Sequence, residues 1–82
     1  MSRFQKALDR LERKPKDFTW QELQMIMKHF GYEEHSNSGS ARRFFNPKTN
    51  ASVHLHEPHS DPTMKKYALE IIIDHLIEQK LI

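Results

Sequence analysis

Apolar residues recur at helical spacing in three stretches of the chain, and each stretch predicts a helix. The first runs from Ser2 to Lys14 and ends at Pro15, because proline has no N–H to donate inside a helix. Its apolar stripe consists of Phe4, Leu8 and Leu11. The second runs from Trp20 to about Phe30, and Thr19 followed by Glu22 is the capping-box pattern that starts such a helix. Its buried face consists of Leu23, Ile26, Met27 and Phe30.

The third helix is predicted from about Thr63 to about Lys80, and it carries two apolar stripes. The first stripe consists of Met64, Tyr67, Ala68, Ile71, Ile72 and Leu76. The second stripe consists of Leu69, Ile73 and Ile77. A helix this apolar buries more than one face. We expect a sheet to cover the first stripe, and the first helix, a partner protein or a second copy of the chain to cover the second.

Three short strands are predicted between the second and third helices. The first runs from Tyr32 to about His35, the second lies between the turn at Gly39 and Pro47, and the third runs from Ala51 to His56. The element order favours an α+β fold, in which a three-stranded antiparallel sheet carries helices on one face and leaves the other open to water. The 82 residues suffice for a single domain with one core, spanning residues 1–82.

The hairpin between the second and third strands has a predictable register. A two-residue loop at Lys48-Thr49 pairs Pro47 with Asn50, and this pairing fixes the partners along both strands. The predicted pairs are Phe45 with Ser52, Phe44 with Val53, Arg43 with His54, Arg42 with Leu55 and Ala41 with His56. Side chains alternate between the two faces of a strand, so Phe44, Val53 and Leu55 should face the core with Arg42 at its edge. The open face should collect Ala41, Arg43, Phe45, His54 and His56.

Charge is unevenly distributed, although the net charge is only +2. Residues 38–66 hold five Lys or Arg residues against two acids, together with three of the six histidines. Such a cationic region attracts an anionic partner, and nucleic acid is the first candidate, while a solvated surface without a partner is the alternative. The chain has no cysteine, so thiolate metal sites and disulfides are excluded. It lacks both a signal-peptide pattern and an apolar run that could span a bilayer, so we expect a cytoplasmic protein without a membrane partner.

The open face of the hairpin combines side chains that suit RNA. The Arg43 guanidinium can pair with phosphate, the Phe45 ring can stack an unpaired base, and a histidine can take a proton from a ribose 2′-OH. A purely structural role for His54, His56 and Phe45 is the alternative. The spacing of His54, His56 and His59 also allows a zinc site as a minor alternative, but the sequence has no cysteine to complete it and we expect no cofactor.

From Thr19 to Ile82 the chain resembles the HicA toxin family, the small mRNA interferases of bacterial toxin–antitoxin systems. The resemblance rests on the order and spacing of several short motifs. They are Thr-Trp-Gln-Glu-Leu at the start of the second helix, Phe30-Gly31-Tyr32 at its end, Ser38-Gly39-Ser40 before the strand, Leu55-His56-Glu57-Pro58-His59 after the hairpin, and the isoleucine-rich last helix. It implies a fold similar to the double-stranded-RNA-binding domain, metal-independent mRNA cleavage and inhibition by a HicB-type antitoxin. The helix over residues 1–14 is an addition to this 19–82 core.

The family motif is commonly Gly-Ser-His, and here Gly39 and Ser40 are followed by Ala41, which cannot transfer a proton. The chain is therefore an inactivated variant, a natural branch that binds RNA without cutting it, or an enzyme in which another residue such as His56 carries the chemistry. Ser40 itself has no base placed beside it by the sequence, and it is interpreted as a turn-stabilising serine.

The resemblance leads to a set of expected roles. A histidine at position 41 would act as general base, and Arg43 would stabilise the charge of the phosphorane. Flanking phosphates and bases would be held by Arg42, Phe45, Lys48, His54, Lys65 and Lys66. The competing functions are a non-catalytic RNA-binding module of the same fold and a protein-interaction domain whose basic face meets an acidic partner.

Overall fold

The computed structural model describes residues 2–36 and 38–82. Three helices and three strands follow one another in the order α-α-β-β-β-α, so the predicted α+β class is confirmed. The elements are α1 (Arg3–Arg13), α2 (Trp20–His29), β1 (Glu33–Ser36), β2 (Ala41–Phe45), β3 (Ser52–His56) and α3 (Lys66–Glu78). Within the described ranges, no helix has the length and apolar character that crossing a membrane requires.

The start of α2 is fixed by the capping box that the sequence predicts. The Thr19 hydroxyl accepts the Glu22 backbone N–H at 3.2 Å, and the Thr19 N–H donates to the Glu22 carboxylate at 3.1 Å. The predicted start of α3 is wrong, because the helix begins at Lys66 and not near Thr63. Thr63 instead donates its N–H and hydroxyl to the Asp61 carboxylate at 2.9 and 2.8 Å, which holds it in the preceding loop.

The three strands form an antiparallel sheet in the order β1-β2-β3. The β2–β3 register agrees with the prediction at every pair from Ala41–His56 to Phe45–Ser52. The predicted two-residue loop is wrong. The Asn46 N–H donates to the Ala51 carbonyl at 2.9 Å, and the intervening loop, Pro47 to Asn50, has four residues. Asn50 adopts a φ of +61°, which asparagine tolerates better than most residues, and the longer loop leaves the pairing of the strands unchanged.

The hydrophobic core lies between the sheet and the helices. The sheet contributes the side chains that were predicted to face inward, Phe44, Val53 and Leu55. α1 contributes Ala7, Leu8 and Leu11, and it packs against both α2 and α3. On α3 the expected stripes are only partly buried. Tyr67, Ile71 and Ile77 are 59%, 41% and 55% exposed, while Leu69, Ile72 and Leu76 are fully buried. The prediction that Tyr67 and Ile71 are covered by the sheet is therefore wrong.

The end of α1 is held beside the start of α3 by backbone pairing between two connectors. Thr19 and Thr63 form an isolated antiparallel bridge. The Trp20 N–H donates to the Pro62 carbonyl at 2.9 Å, and the Met64 N–H donates to the Phe18 carbonyl at 2.7 Å. These bonds join the α1–α2 connector to the β3–α3 loop. As a result, segments that are far apart in the sequence face each other across a cleft.

Candidate functional site

Ser40 and His56 form a polar pair at the end of the β2–β3 hairpin. The Ser40 hydroxyl lies 3.2 Å from His56 Nδ1, and the Ser40 carbonyl accepts the Glu57 N–H at 2.8 Å. The second bond fixes the backbone on both sides of the pair. A histidine within hydrogen-bond reach of a hydroxyl on one ring nitrogen keeps its other ring nitrogen available for proton transfer. The hairpin register brings this partner to Ser40, although the two residues are distant in the sequence.

Ala41 lies directly opposite His56 on the open face of the sheet. Position 41 is therefore adjacent to an imidazole supplied by the next strand. Gly39 precedes the pair with a φ of +57°, a conformation that residues with a Cβ rarely adopt, and it lets the chain turn sharply into β2. Position 41 and the Ser40–His56 pair thus form one small region at the end of the hairpin.

An open cleft of about 910 Å³ begins at the Ser40–His56 pair. One wall consists of the end of α1 and its connector, and the other consists of the β3–α3 loop and the first turn of α3. Five cationic side chains line it, namely Arg13, Lys14, Lys16, Lys65 and Lys66. The predicted candidates Lys65 and Lys66 are therefore brought together with Ser40 and His56.

The two acidic residues of the cleft already have partners. The Glu57 carboxylate forms an ion pair with Arg42 Nε at 3.0 Å. Asp61 accepts the backbone and hydroxyl hydrogen bonds of Thr63, and these bonds lower the pKa of its carboxyl below the usual range. Of the five cations, only Lys14 forms an ion pair within residues 2–36 and 38–82, at 3.5 Å to Glu70. The cleft therefore presents an excess of positive charge, which suits a polyanion.

Arg42 is used within the protein. Its Nη1 donates to the carbonyls of Gly39 and Ala41 at 2.9 and 3.0 Å, and its Nε lies between the carboxylates of Glu57 and Glu34, at 3.0 and 3.8 Å. These contacts tie the turn before β2 to the neighbouring strands. The structure thus places this predicted phosphate ligand in a network that supports the site.

The remaining predicted residues lie outside the cleft. Arg43 faces His54 across the β2–β3 pairing, and its guanidinium carbon is 5.1 Å from the centre of the Phe45 ring. All three belong to the open face of the sheet, as the register predicted. Lys48 lies in the hairpin loop, at the opposite end of the hairpin from the Ser40–His56 pair. The predicted set is thereby divided into a cleft group, a sheet-face group and one distant lysine.

In the part of the chain that the structure describes, no three His, Cys, Asp or Glu side chains are placed to hold a metal ion. His54 lies outside the cleft, whereas His56 and His59 line it. The zinc-site alternative therefore has no support.

The sequence alone does not single out several residues of the cleft, among them Arg13, Lys14, Lys16 and Tyr67. The signal for the first three is the cluster of basic residues around Pro15, where α1 ends. Nothing local shows what this cluster faces. Tyr67 was predicted to be buried, and it instead exposes an aromatic ring beside the cleft.

Comparison with protein families gives one informative match. The model described as "HicA toxin of bacterial toxin-antitoxin" matches residues 20–79, which include α2, the whole sheet and α3. Comparison with curated proteins and with solved structures gives no match. A toxin of this kind implies a cognate antitoxin as its partner. Because the match covers most of the chain, the protein belongs to the HicA toxin family, the toxins of bacterial toxin–antitoxin systems.

Proposed function

We propose that this toxin is a metal-independent endoribonuclease that cuts mRNA in the cytoplasm, with His56 as its proton-transfer residue. The Ser40–His56 pair at the edge of a cationic cleft is the observation that carries the proposal. It joins a group that can move protons to a surface that attracts phosphates. Both properties are needed to cleave RNA without a metal ion.

The reaction is an attack by the ribose 2′-oxygen on the adjacent phosphorus. When His56 Nδ1–H donates to the Ser40 hydroxyl, Nε2 carries a lone pair and can accept the 2′-OH proton. The new bond forms between the 2′-oxygen and phosphorus, and the bond to the 5′-oxygen breaks. The leaving 5′-oxygen takes up a proton from water, and His56 releases the 2′-OH proton to solvent. The products are a 2′,3′-cyclic phosphate and a free 5′-hydroxyl, and the reaction requires neither an oxidant nor a metal ion.

Arg43 and the lysines of α3 supply charge around this step. Arg43 lies two residues along β2 from Ala41 and on the same face, so it can approach the phosphorane from the sheet. Lys65 and Lys66 line the cleft and hold neighbouring phosphates. Ala41 adds no imidazole of its own, so the reaction proposed here proceeds with His56 as its single proton-transfer group.

The test is cleavage of single-stranded RNA in EDTA by the wild-type chain, H56A and H35A. Loss of a general base lowers the rate by about 10²- to 10⁴-fold, and we expect that loss in H56A. His35 is the matched control, because it is an exposed histidine on β1 with no assigned role. The 5′-hydroxyl ends of the products identify the chemistry. Equal cleavage by wild type and H56A would remove His56 from the mechanism.

A non-catalytic RNA-binding toxin is the second candidate, and Ala41 is the observation that favours it. In that case the wild-type chain binds RNA but does not cut it. The two candidates separate in a single experiment, because binding and product ends are both measured on the same RNA.

We further propose that a HicB-type antitoxin neutralises the toxin. Family membership supports this proposal. Expression of the chain alone should arrest growth, and co-expression of an antitoxin encoded beside it should restore growth. A protein-interaction domain without RNA activity would leave cellular mRNA intact during the arrest.

A further inference from the structure

We infer that the end of α1 and its connector form a second phosphate-binding wall, in which Arg13 and Lys16 hold single-stranded RNA opposite Lys65 and Lys66. The inference rests on the proposed function and extends the RNA site beyond the family match, which begins at residue 20. In this arrangement the RNA backbone runs between two cationic walls, past the Ser40–His56 pair.

The wall is held in place by contacts to the rest of the fold. Arg10, one turn before Arg13, forms ion pairs with Glu22 at 2.8 Å and with Asp17 at 3.0 Å. The bridge between Thr19 and Thr63 then joins the connector to the loop that leads into α3. The distance across the cleft is therefore set by the fold and not by mobile side chains alone.

Arg13 and Lys16 are available to a ligand. Both side chains are exposed, both line the cleft, and neither forms an ion pair within the described residues. A simpler explanation for Arg13 is that a cation at the C-terminal end of a helix complements the helix dipole. That explanation does not cover Lys16, because α1 ends at Arg13 and Lys16 lies beyond it.

The cleft also offers a surface for a base. The Tyr67 side chain lines the cleft and is 59% exposed, so its ring is accessible to a ligand. Unpaired bases stack on exposed aromatic rings, whereas bases within a duplex are already stacked. An aromatic ring on one of the two cationic walls therefore favours single-stranded RNA over a duplex.

The experiment compares R13Q/K16Q with R3Q/K6Q in binding to a short single-stranded 2′-O-methyl RNA, followed by fluorescence anisotropy at several salt concentrations. The methyl group blocks the 2′-oxygen, so the probe is bound but not cut. Arg3 and Lys6 are the matched control, because they are exposed cations of the same helix that do not line the cleft. Both double variants lose the same formal charge, and glutamine has a helix propensity close to that of lysine and arginine.

Each phosphate contact to a single strand contributes about 0.7 to the slope of log affinity against log salt. R13Q/K16Q should therefore lower the magnitude of the slope by about 1.4. The ratio of wild-type affinity to variant affinity should then become about 7-fold smaller when the salt is raised from about 50 to about 200 mM. R3Q/K6Q should keep the wild-type slope. An equal change in both variants would overturn the second wall while leaving RNA binding intact. A wild-type chain that does not bind the probe would overturn both this inference and the proposed function.

A third variant tests the base contact separately. Tyr67→Leu removes the ring without changing the charge, so affinity should fall by about 5- to 140-fold at an unchanged salt slope. Ile71→Ala is its control, because Ile71 is an exposed apolar residue of the same helix outside the cleft. Unchanged affinity in Tyr67→Leu would remove the ring from the site.

Discussion

Replacing Ala41 by histidine tests the proposed mechanism most directly, because it adds a second imidazole beside His56. The N–H of Glu57 bonds to the carbonyl of Ser40, so Ser40 and Glu57 are a hydrogen-bonded pair of the ladder. The next pair, Ala41 and His56, is then a non-hydrogen-bonded pair, in which the Cα atoms lie only about 4.5 Å apart. Two imidazoles at this separation can reach the same phosphate.

The expected gain follows from the two proton transfers in the reaction. His56 takes the 2′-OH proton, and the leaving 5′-oxygen receives a proton either from water or from a second positioned group. A positioned acid or base contributes about 10²- to 10⁴-fold, which is about 2.7–5.5 kcal/mol of barrier. The Ala41→His chain should therefore cut RNA about 10²- to 10⁴-fold faster than the wild type. Two neighbouring imidazolium cations repel each other, so the pair favours the state in which one ring is protonated and the other is neutral. That state provides one acid and one base.

The assay is single-turnover cleavage of a labelled single-stranded RNA in EDTA across a range of pH. The wild-type rate should rise with pH until the single base is deprotonated. The Ala41→His rate should be bell-shaped, because one imidazole must be neutral and the other protonated. Ala41→Gln is the matched control, since it adds a polar side chain that does not transfer protons near neutral pH. A variant that folds and binds RNA as the wild type does, but cuts no faster than Ala41→Gln, would refute the placement of the site.

Two further predictions concern stability. Thr19→Ala removes the cap of α2 and should lower the free energy of unfolding by about 1 kcal/mol, which corresponds to a fall of about 4–8 °C in Tm. Thermal unfolding measures this change, and Ser2→Ala at the exposed cap of α1 is the control, with a smaller expected effect. Burial lowers the pKa of His75 more than the charge of Glu78 raises it. Below about pH 6.5 the unfolded chain therefore binds more protons than the folded chain, so the free energy of unfolding should decrease as the pH is lowered. In urea titrations at several pH values, His75→Gln should weaken this dependence. An equal fall in Tm for Ser2→Ala and Thr19→Ala would contradict the first expectation. An unchanged pH dependence of the free energy of unfolding in His75→Gln would contradict the second.

The sheet could be predicted from the sequence because its faces have unequal chemistry. Val53 and Leu55 alternate with polar residues, and a slip of one residue would expose both, so burial selects a single register. The loop between the strands could not be predicted as well. Pro47 cannot donate a backbone hydrogen bond, and Asn50 accepts a left-handed conformation, so a four-residue loop fits the same register as the two-residue loop.

The cleft could be predicted only in part, because its walls come from segments that meet through tertiary contacts. Lys65 and Lys66 were identified from local charge, and His56 from the register of the hairpin. Arg13 and Lys16 carry the same local signal as any basic helix end. Their relation to α3 depends on the pairing of Thr19 with Thr63, and no periodicity in the sequence encodes that bridge.

Arg42 shows why residue type alone does not assign a role at this site. The sequence places it beside Arg43, and both look equally suited to phosphate. In the fold, Arg42 donates to two carbonyls of the turn and forms an ion pair with Glu57. The Arg43 guanidinium instead lies over the Phe45 ring on the open face of the sheet. The contacts of Arg42 hold the backbone on both sides of position 41. A histidine introduced there would therefore enter a turn that is already fixed, so the Ala41→His experiment measures the added proton-transfer group and not the assembly of a new site.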